Sequence, residues 1–135
     1  MNYVESLDYL DSLGKFGIKL GMERIEGLLK ELDNPEQKIK TVHVTGTNGK
    51  GSVTSMITNI LLAANLKVGK FTSPHLVKYN ERITLNGKDI SDDDFAMVIS
   101  AVKVAADSIV KKGVCEQPTQ FEILTAAAFL YFYLN

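Results

Sequence analysis

Gly46-Thr47-Asn48-Gly49-Lys50-Gly51-Ser52 is the stretch of this sequence with the clearest chemistry. Glycines let a backbone wrap an anion without Cβ clashes, successive N–H groups then point inward, and a helix beginning at the turn adds the positive end of its dipole. Lys50 is spaced to reach β/γ-phosphate oxygens, which makes it the candidate catalytic cation, and Ser52 to face a phosphate or its magnesium ion. The general phosphate-loop pattern wants a glycine where Val44 stands and a hydroxyl where Gly51 stands. An ordinary glycine-rich turn is the bland alternative. Phosphate binding is favoured because strand, turn and helix fall in the order the mechanism requires.

The elements around the turn follow from periodicity. Ile39 to Thr45 is β-branched and alternating, which predicts a strand, and Lys67 to Phe71 predicts a second, parallel to the first. Between them Val53, Met56, Ile57, Ile60, Leu61 and Ala64 recur at helical spacing, so the unit reads as β-α-β with the turn at a strand's C-terminal end. Upstream, Tyr3, Leu7, Leu10 and Leu13 predict a helix stopped at Gly14. A loop, Gly14-Lys15-Phe16-Gly17, follows, and then a second helix carrying Ile25, Leu28, Leu29 and Leu32 that Asn34-Pro35 ends. Arg82 to Leu85, Asn86-Gly87 and Lys88 to Ile90 form a hairpin signal. Ser91 to Asp94 starts a helix with Phe95, Val98, Ile99, Val102, Ala105, Ala106 and Ile109 on one face, ending near Lys111-Lys112-Gly113. Thr119-x-x-Glu122 is a capping box opening a last, buried helix. The fold class expected is α/β: an incomplete P-loop-type doubly wound parallel sheet with flanking helices and a small β-hairpin.

Composition bounds the partners. The 135 residues carry 15 Lys+Arg against 16 Asp+Glu, a net charge of -1, so no overall pull toward nucleic acid or anionic membrane exists. Ile123 to Leu134 is too short to span a bilayer, which takes about 20 residues. Its run into Asn135 without a polar cap or glycine reads as an interrupted domain. A lone Cys115 and a polar N-terminus without a secretory signal point to the cytoplasm, and Cys115 reads as a linker residue. His43 reads as a structural histidine in the first strand, His75 as a turn residue, and Glu81 and Arg82 as an exposed strand pair.

The segment His43 to Ser52 resembles the phosphate loop of the folylpolyglutamate synthase branch of the Mur ligase family, whose own form accounts for the departure from the general pattern. Similar segments stand at matching intervals: Leu20-Gly21-Met22-Glu23-Arg24-Ile25, Thr72-Ser73-Pro74-His75-Leu76-Val77, Asn80-Glu81-Arg82-Ile83 and Thr119-Gln120-Phe121-Glu122. The resemblance covers essentially the whole chain, so residues 1–135 are expected to be the N-terminal part of a Mur-ligase-type ATP-binding domain. The rest of that domain and the C-terminal glutamate-ligase domain would be missing.

The resemblance implies an ATP-dependent carbon-nitrogen ligase that phosphorylates a carboxylate and lets the amino group of L-glutamate attack the acyl phosphate. The acceptor would be dihydropteroate or a folate polyglutamate. It implies ATP contacts at Thr47, Asn48, Gly49, Lys50, Gly51 and Ser52, a Mg2+ ligand at Ser73, and pterin contacts at Gly17, Ile18, Lys19, Leu20, Thr119, Gln120, Phe121 and Glu122. Capping and substrate contact are compatible roles for Thr119 and Glu122. The remaining metal ligands would lie beyond residue 135, so the piece alone is expected to be inactive and the complete protein a monomer. Its uncovered sheet face should be apolar and drive self-association. A cell-wall Mur-type ligase would share the loop chemistry, but the Leu20 to Arg24 segment and Lys50-Gly51-Ser52 favour the folate branch. A nucleotide-binding module without ligase activity would not need the Ser-Pro-His-Leu and Asn-Glu-Arg-Ile segments.

Overall fold

A computed structural model describes residues 1–14 and 17–135, so Lys15 and Phe16 of the glycine-punctuated loop lie outside the described residues. The chain divides into two compact units, residues 1–39 with 92–135, and residues 40–91.

The first unit is helical. Helix α1 spans Tyr3–Leu13 and starts on a reciprocal cap, in which the Glu5 amide donates to Asn2 Oδ1 at 2.9 Å and the Asn2 amide to Glu5 Oε2 at 2.7 Å. Helix α2 spans Glu23–Glu31 and leads through Asn34, in the left-handed region, to a 3-10 turn at Pro35–Lys38. Two longer helices, Asp92–Lys111 and Gln120–Leu134, complete the unit. Numbered in chain order after the helix of the second unit, they are α4 and α5.

Helix α4 is the unit's spine and packs against α1, α2 and α5. Its buried residues Phe95, Val98, Ile99, Val102, Ala106 and Ile109 recur every three or four positions, so one stripe faces the core. Tyr3 meets Phe95 edge to face, ring centroids 5.7 Å apart. Helix α5 buries Ile123, Leu124, Ala126, Ala127, Ala128 and Tyr131, nearly all round, as its apolar sequence requires.

The second unit holds helix α3, Lys50–Ala63, and three strands: β1 (Gly69–Phe71), β2 (Ile83–Leu85) and β3 (Lys88–Asp89). β1 pairs antiparallel with β2, and β2 antiparallel with β3 through a two-residue turn. Asn86 and Gly87 take φ of 50° and 79°, the positive values that such a hairpin turn demands.

The sheet corrects the expected topology. Ile39 is extended, but residues 40–45 belong to no strand, and the described sheet is antiparallel throughout. A β-branched alternating run has the propensity for a strand, but a strand also needs a neighbouring backbone to complete its ladder. Among the described residues none is paired with this segment. His43 is correspondingly exposed and outside any strand. Helix α3 packs against β1, and Thr58, which is buried, donates from Oγ1 to the Thr54 carbonyl at 2.7 Å. The apolar stripe read from the sequence is only partly covered: Ile57 and Leu61 are half-buried, whereas Val53, Met56 and Ile60 are 44%, 62% and 67% exposed. No helix among the described residues is long and apolar enough to cross a membrane.

Candidate functional site

The glycine-rich turn leads directly into α3. Gly46 and Gly49 take φ of 149° and 73°, conformations that cost a side-chain-bearing residue free energy, so the glycines are required by the backbone path itself. Gly49 is the N-cap of α3, with no side chain capping the helix and no acidic residue in its first turn. The amides at the start of α3 therefore meet neither a capping oxygen nor a neutralising carboxylate, and the positive end of the helix dipole faces solvent. A Cβ added at Gly49 or Gly51 meets nothing within 4 Å, so the space beside the loop is open. Thr47, Asn48, Lys50 and Ser52 are all exposed. Lys50 folds back over the loop, its Nζ donating to the Gly46 carbonyl at 2.6 Å. The ammonium is thereby held beside the glycine cradle.

In the same unit, Ser73 is exposed and follows the end of β1 by two residues. Its neighbourhood is organised by two side chains whose pairing was read differently from the sequence. Glu81 accepts the backbone amides of Leu76, Val77 and Lys78 at 3.1, 2.7 and 2.7 Å. These bonds, Lys78 first, hold its carboxyl below the ordinary carboxylate value. Arg82 donates instead from Nε to His75 Nδ1 at 2.8 Å, and Tyr79 lies against the imidazole at a ring separation of 4.4 Å. Because Nδ1 accepts, the proton of the neutral ring sits on Nε2. Glu81 and Arg82 are thus turn-building residues, because consecutive amides without a ladder partner offer the carboxylate a better bond than a solvated guanidinium does. His75 is an ordered turn residue.

The other candidate residues lie in the helical unit. Thr119 caps α5: its Oγ1 accepts the Glu122 amide at 3.3 Å while Glu122 Oε1 accepts the Thr119 amide at 2.9 Å. Glu122 is buried, and the same Oε1 receives Arg24 Nε at 3.0 Å. Gln120 is tied to α1 through Nε2, which donates to the Leu10 carbonyl at 2.9 Å. Ile18, Leu20 and Phe121 turn outward, 97%, 92% and 56% exposed. Lys19 Nζ reaches Glu116 at 3.3 Å. Gly17 takes a φ of 65°. Cys115, a half-buried linker residue, has its thiol pushed up by burial. The phosphate-type candidates therefore lie within residues 40–91, and the pterin-type candidates within the other unit.

Arg24 is the residue that the sequence left unassigned. It is buried on α2, and its bond to Glu122 raises the guanidinium pKa further above its ordinary value. A signal was available: Arg24 stands four residues before Leu28, on a stripe that is otherwise apolar. Its partner, 98 residues away, was not legible.

No family model matches the chain. The dihydrofolate synthase/folylpolyglutamate synthase of Bacillus subtilis is 42% identical over 130 residues, covering 96% of this chain and 30% of its own length. The folylpolyglutamate synthetase of Lactobacillus casei superposes with a TM-score of 0.90 at 37% identity, over 98% of this chain and 33% of that one. A solved FPGS–AMPPCP–folate complex superposes with a TM-score of 0.88 at 37% identity, over 98% and 32%. The chain spans about 30% of the length of the curated relatives it matches first. Identity at this level, sustained with the same backbone over nearly every residue, makes the chain a relative of the folylpolyglutamate and dihydrofolate synthases, matching roughly a third of their length.

Proposed function

We propose that the complete protein is an ATP-dependent amide ligase that adds L-glutamate to dihydropteroate or to folate polyglutamates, and that residues 46–52 bind the ATP phosphates. The observation that carries this reading is the uncapped start of α3 behind Gly46 and Gly49, with the Lys50 ammonium held alongside. The relative solved with AMPPCP and folate supports the pairing of a nucleotide with a folate.

In this chemistry a carboxylate oxygen of the acceptor attacks the γ-phosphorus and ADP leaves. The amine nitrogen of glutamate then attacks the acyl phosphate carbon, an amide forms, and inorganic phosphate departs. The amides of the loop and of the first turn of α3 would hold the β- and γ-phosphates. Lys50 would exchange the Gly46 carbonyl for a phosphate oxygen and oppose charge on the transferring group. Magnesium, when bound with the nucleotide, would offset negative charge on its phosphates. Ser73 offers it one neutral hydroxyl, and among the described residues no group of three His, Cys, Asp or Glu side chains could hold a metal ion. The described residues do not by themselves make a magnesium site.

For the acceptor, exposed Ile18, Leu20 and Phe121 offer apolar surface suited to a flat heteroaromatic ring. In the complete protein residues 39–45 would join a doubly wound parallel sheet, and the enzyme would act in the cytoplasm as a monomer. This chain alone would not ligate.

The test is calorimetry with ATP and magnesium on wild type and Lys50→Ala, paired with a ligation assay on the complete protein. Losing one charge-assisted bond should weaken ATP binding by roughly one to two decades and reduce ligation more severely. Equal affinities and equal activities would show Lys50 to be a solvated helix-start residue.

A further inference from the structure

One buried guanidinium joins the two segments that the proposed reading assigns to the pterin. Arg24 is 3% exposed, and each of its nitrogens has a partner. Nε donates to Glu122 Oε1 at 3.0 Å, Nη1 to Glu23 Oε1 at 3.2 Å, and Nη2 to the carbonyls of Lys19 and Leu20 at 2.9 and 3.3 Å. Glu122 is at once the capping carboxylate of α5. The fork therefore has one prong on the backbone of the 17–20 loop and the other on the first turn of α5.

The side chains around it point the opposite way. Ile18 and Leu20 present their apolar groups to solvent while the carbonyls of Lys19 and Leu20 are held from behind. With Ile18 and Leu20 turned outward, these backbone bonds hold the loop from its inner side. Lys19 also pairs with Glu116 through side chains that are 35% and 77% exposed, and such pairs contribute little.

We infer that Arg24 is a positioning residue, which sets the distance between the 17–20 loop and the start of α5 and so preforms the apolar surface that receives the pterin ring. The inference rests on the proposed folate-directed function. A planar fork is needed because its three nitrogens serve two carboxylates and two carbonyls at once. A lysine could keep its charge beside Glu122 but not all of those bonds.

The experiment compares wild type, Arg24→Lys and Arg24→Gln by two readouts. Amide hydrogen exchange should show residues 18–22 opening about tenfold more readily in both variants, with residues 40–91 unaffected. In the complete ligase, KM for the pteroate acceptor should rise about tenfold while KM for ATP stays at the wild-type value. If Arg24→Lys unfolds, the double variant Arg24→Gln with Glu122→Gln, which leaves no buried charge, carries the same comparison. Wild-type exchange and wild-type acceptor KM in a folded variant would overturn the inference, leaving Arg24 as charge compensation only. A raised acceptor KM without faster exchange would overturn it too. A wild-type ligase that does not use pteroate would instead remove the functional reading, and the exchange readout would then decide the clamp alone.

Discussion

At the scale of the residue, the side chains that matter bond to backbone. Glu81 spends its carboxylate on three consecutive amides, and Lys50 its ammonium on the Gly46 carbonyl. The Glu81 carboxyl lies below its reference value of 4.5 because those amides favour the charged form. The unfolded chain binds that proton more tightly, so the contribution of Glu81 is fully present above the unfolded value and is lost as pH falls through the lower folded one. An NMR titration of the Leu76, Val77 and Lys78 amides should therefore show a midpoint below 4.5. Glu81→Gln should abolish that step, and a midpoint at or above the reference value would refute the account. Lys50 differs in being exposed, with its bond made to a solvent-facing loop. Lys50→Ala should accordingly leave the thermal midpoint of the unliganded chain nearly unchanged while it weakens phosphate binding.

Helix starts carry the argument at the scale of the element. Helices α1 and α5 begin on reciprocal caps built from side chains three residues apart, whereas α3 begins on a bare left-handed glycine. The difference separates a helix end that is satisfied internally from one whose amides remain available to an anion. Thr119→Ala removes the cap of α5 and should cost about 1 kcal/mol in urea denaturation, with Thr119→Ser within a few tenths of wild type. A null effect of the alanine would show that the Thr119 cap adds nothing to the stability of α5. The Thr119 and Glu122 spacing made this cap readable in advance, and the Asn86-Gly87 turn was readable for the same reason. Both are local rules, complete within four residues.

Over the whole molecule, the exposed face of α3 has the largest consequence. Val53, Met56 and Ile60 lie uncovered although their spacing is that of a core stripe. Apolar surface of this kind associates in water. The isolated chain should therefore show concentration-dependent association in sedimentation experiments, and Ile60→Lys should shift it toward monomer without loss of helix content. A wild-type chain that stays monomeric at every concentration would contradict this.

The sequence by itself determined the glycine turn before α3, the five helices found among the described residues, the hairpin and the α5 cap, because each is fixed by residues close together in the chain. It also carried the kinship, since the segments that identify it are sequence segments. Tertiary structure alone decided three things. Residues 40–45 have strand propensity but no ladder partner, so they are not a strand here. The stripe of α3 has core periodicity, yet Val53, Met56 and Ile60 stay exposed. Arg24 meets Glu122 across 98 residues, because only packing α2 against α5 brings a guanidinium and a carboxylate that far apart in sequence to hydrogen-bonding distance.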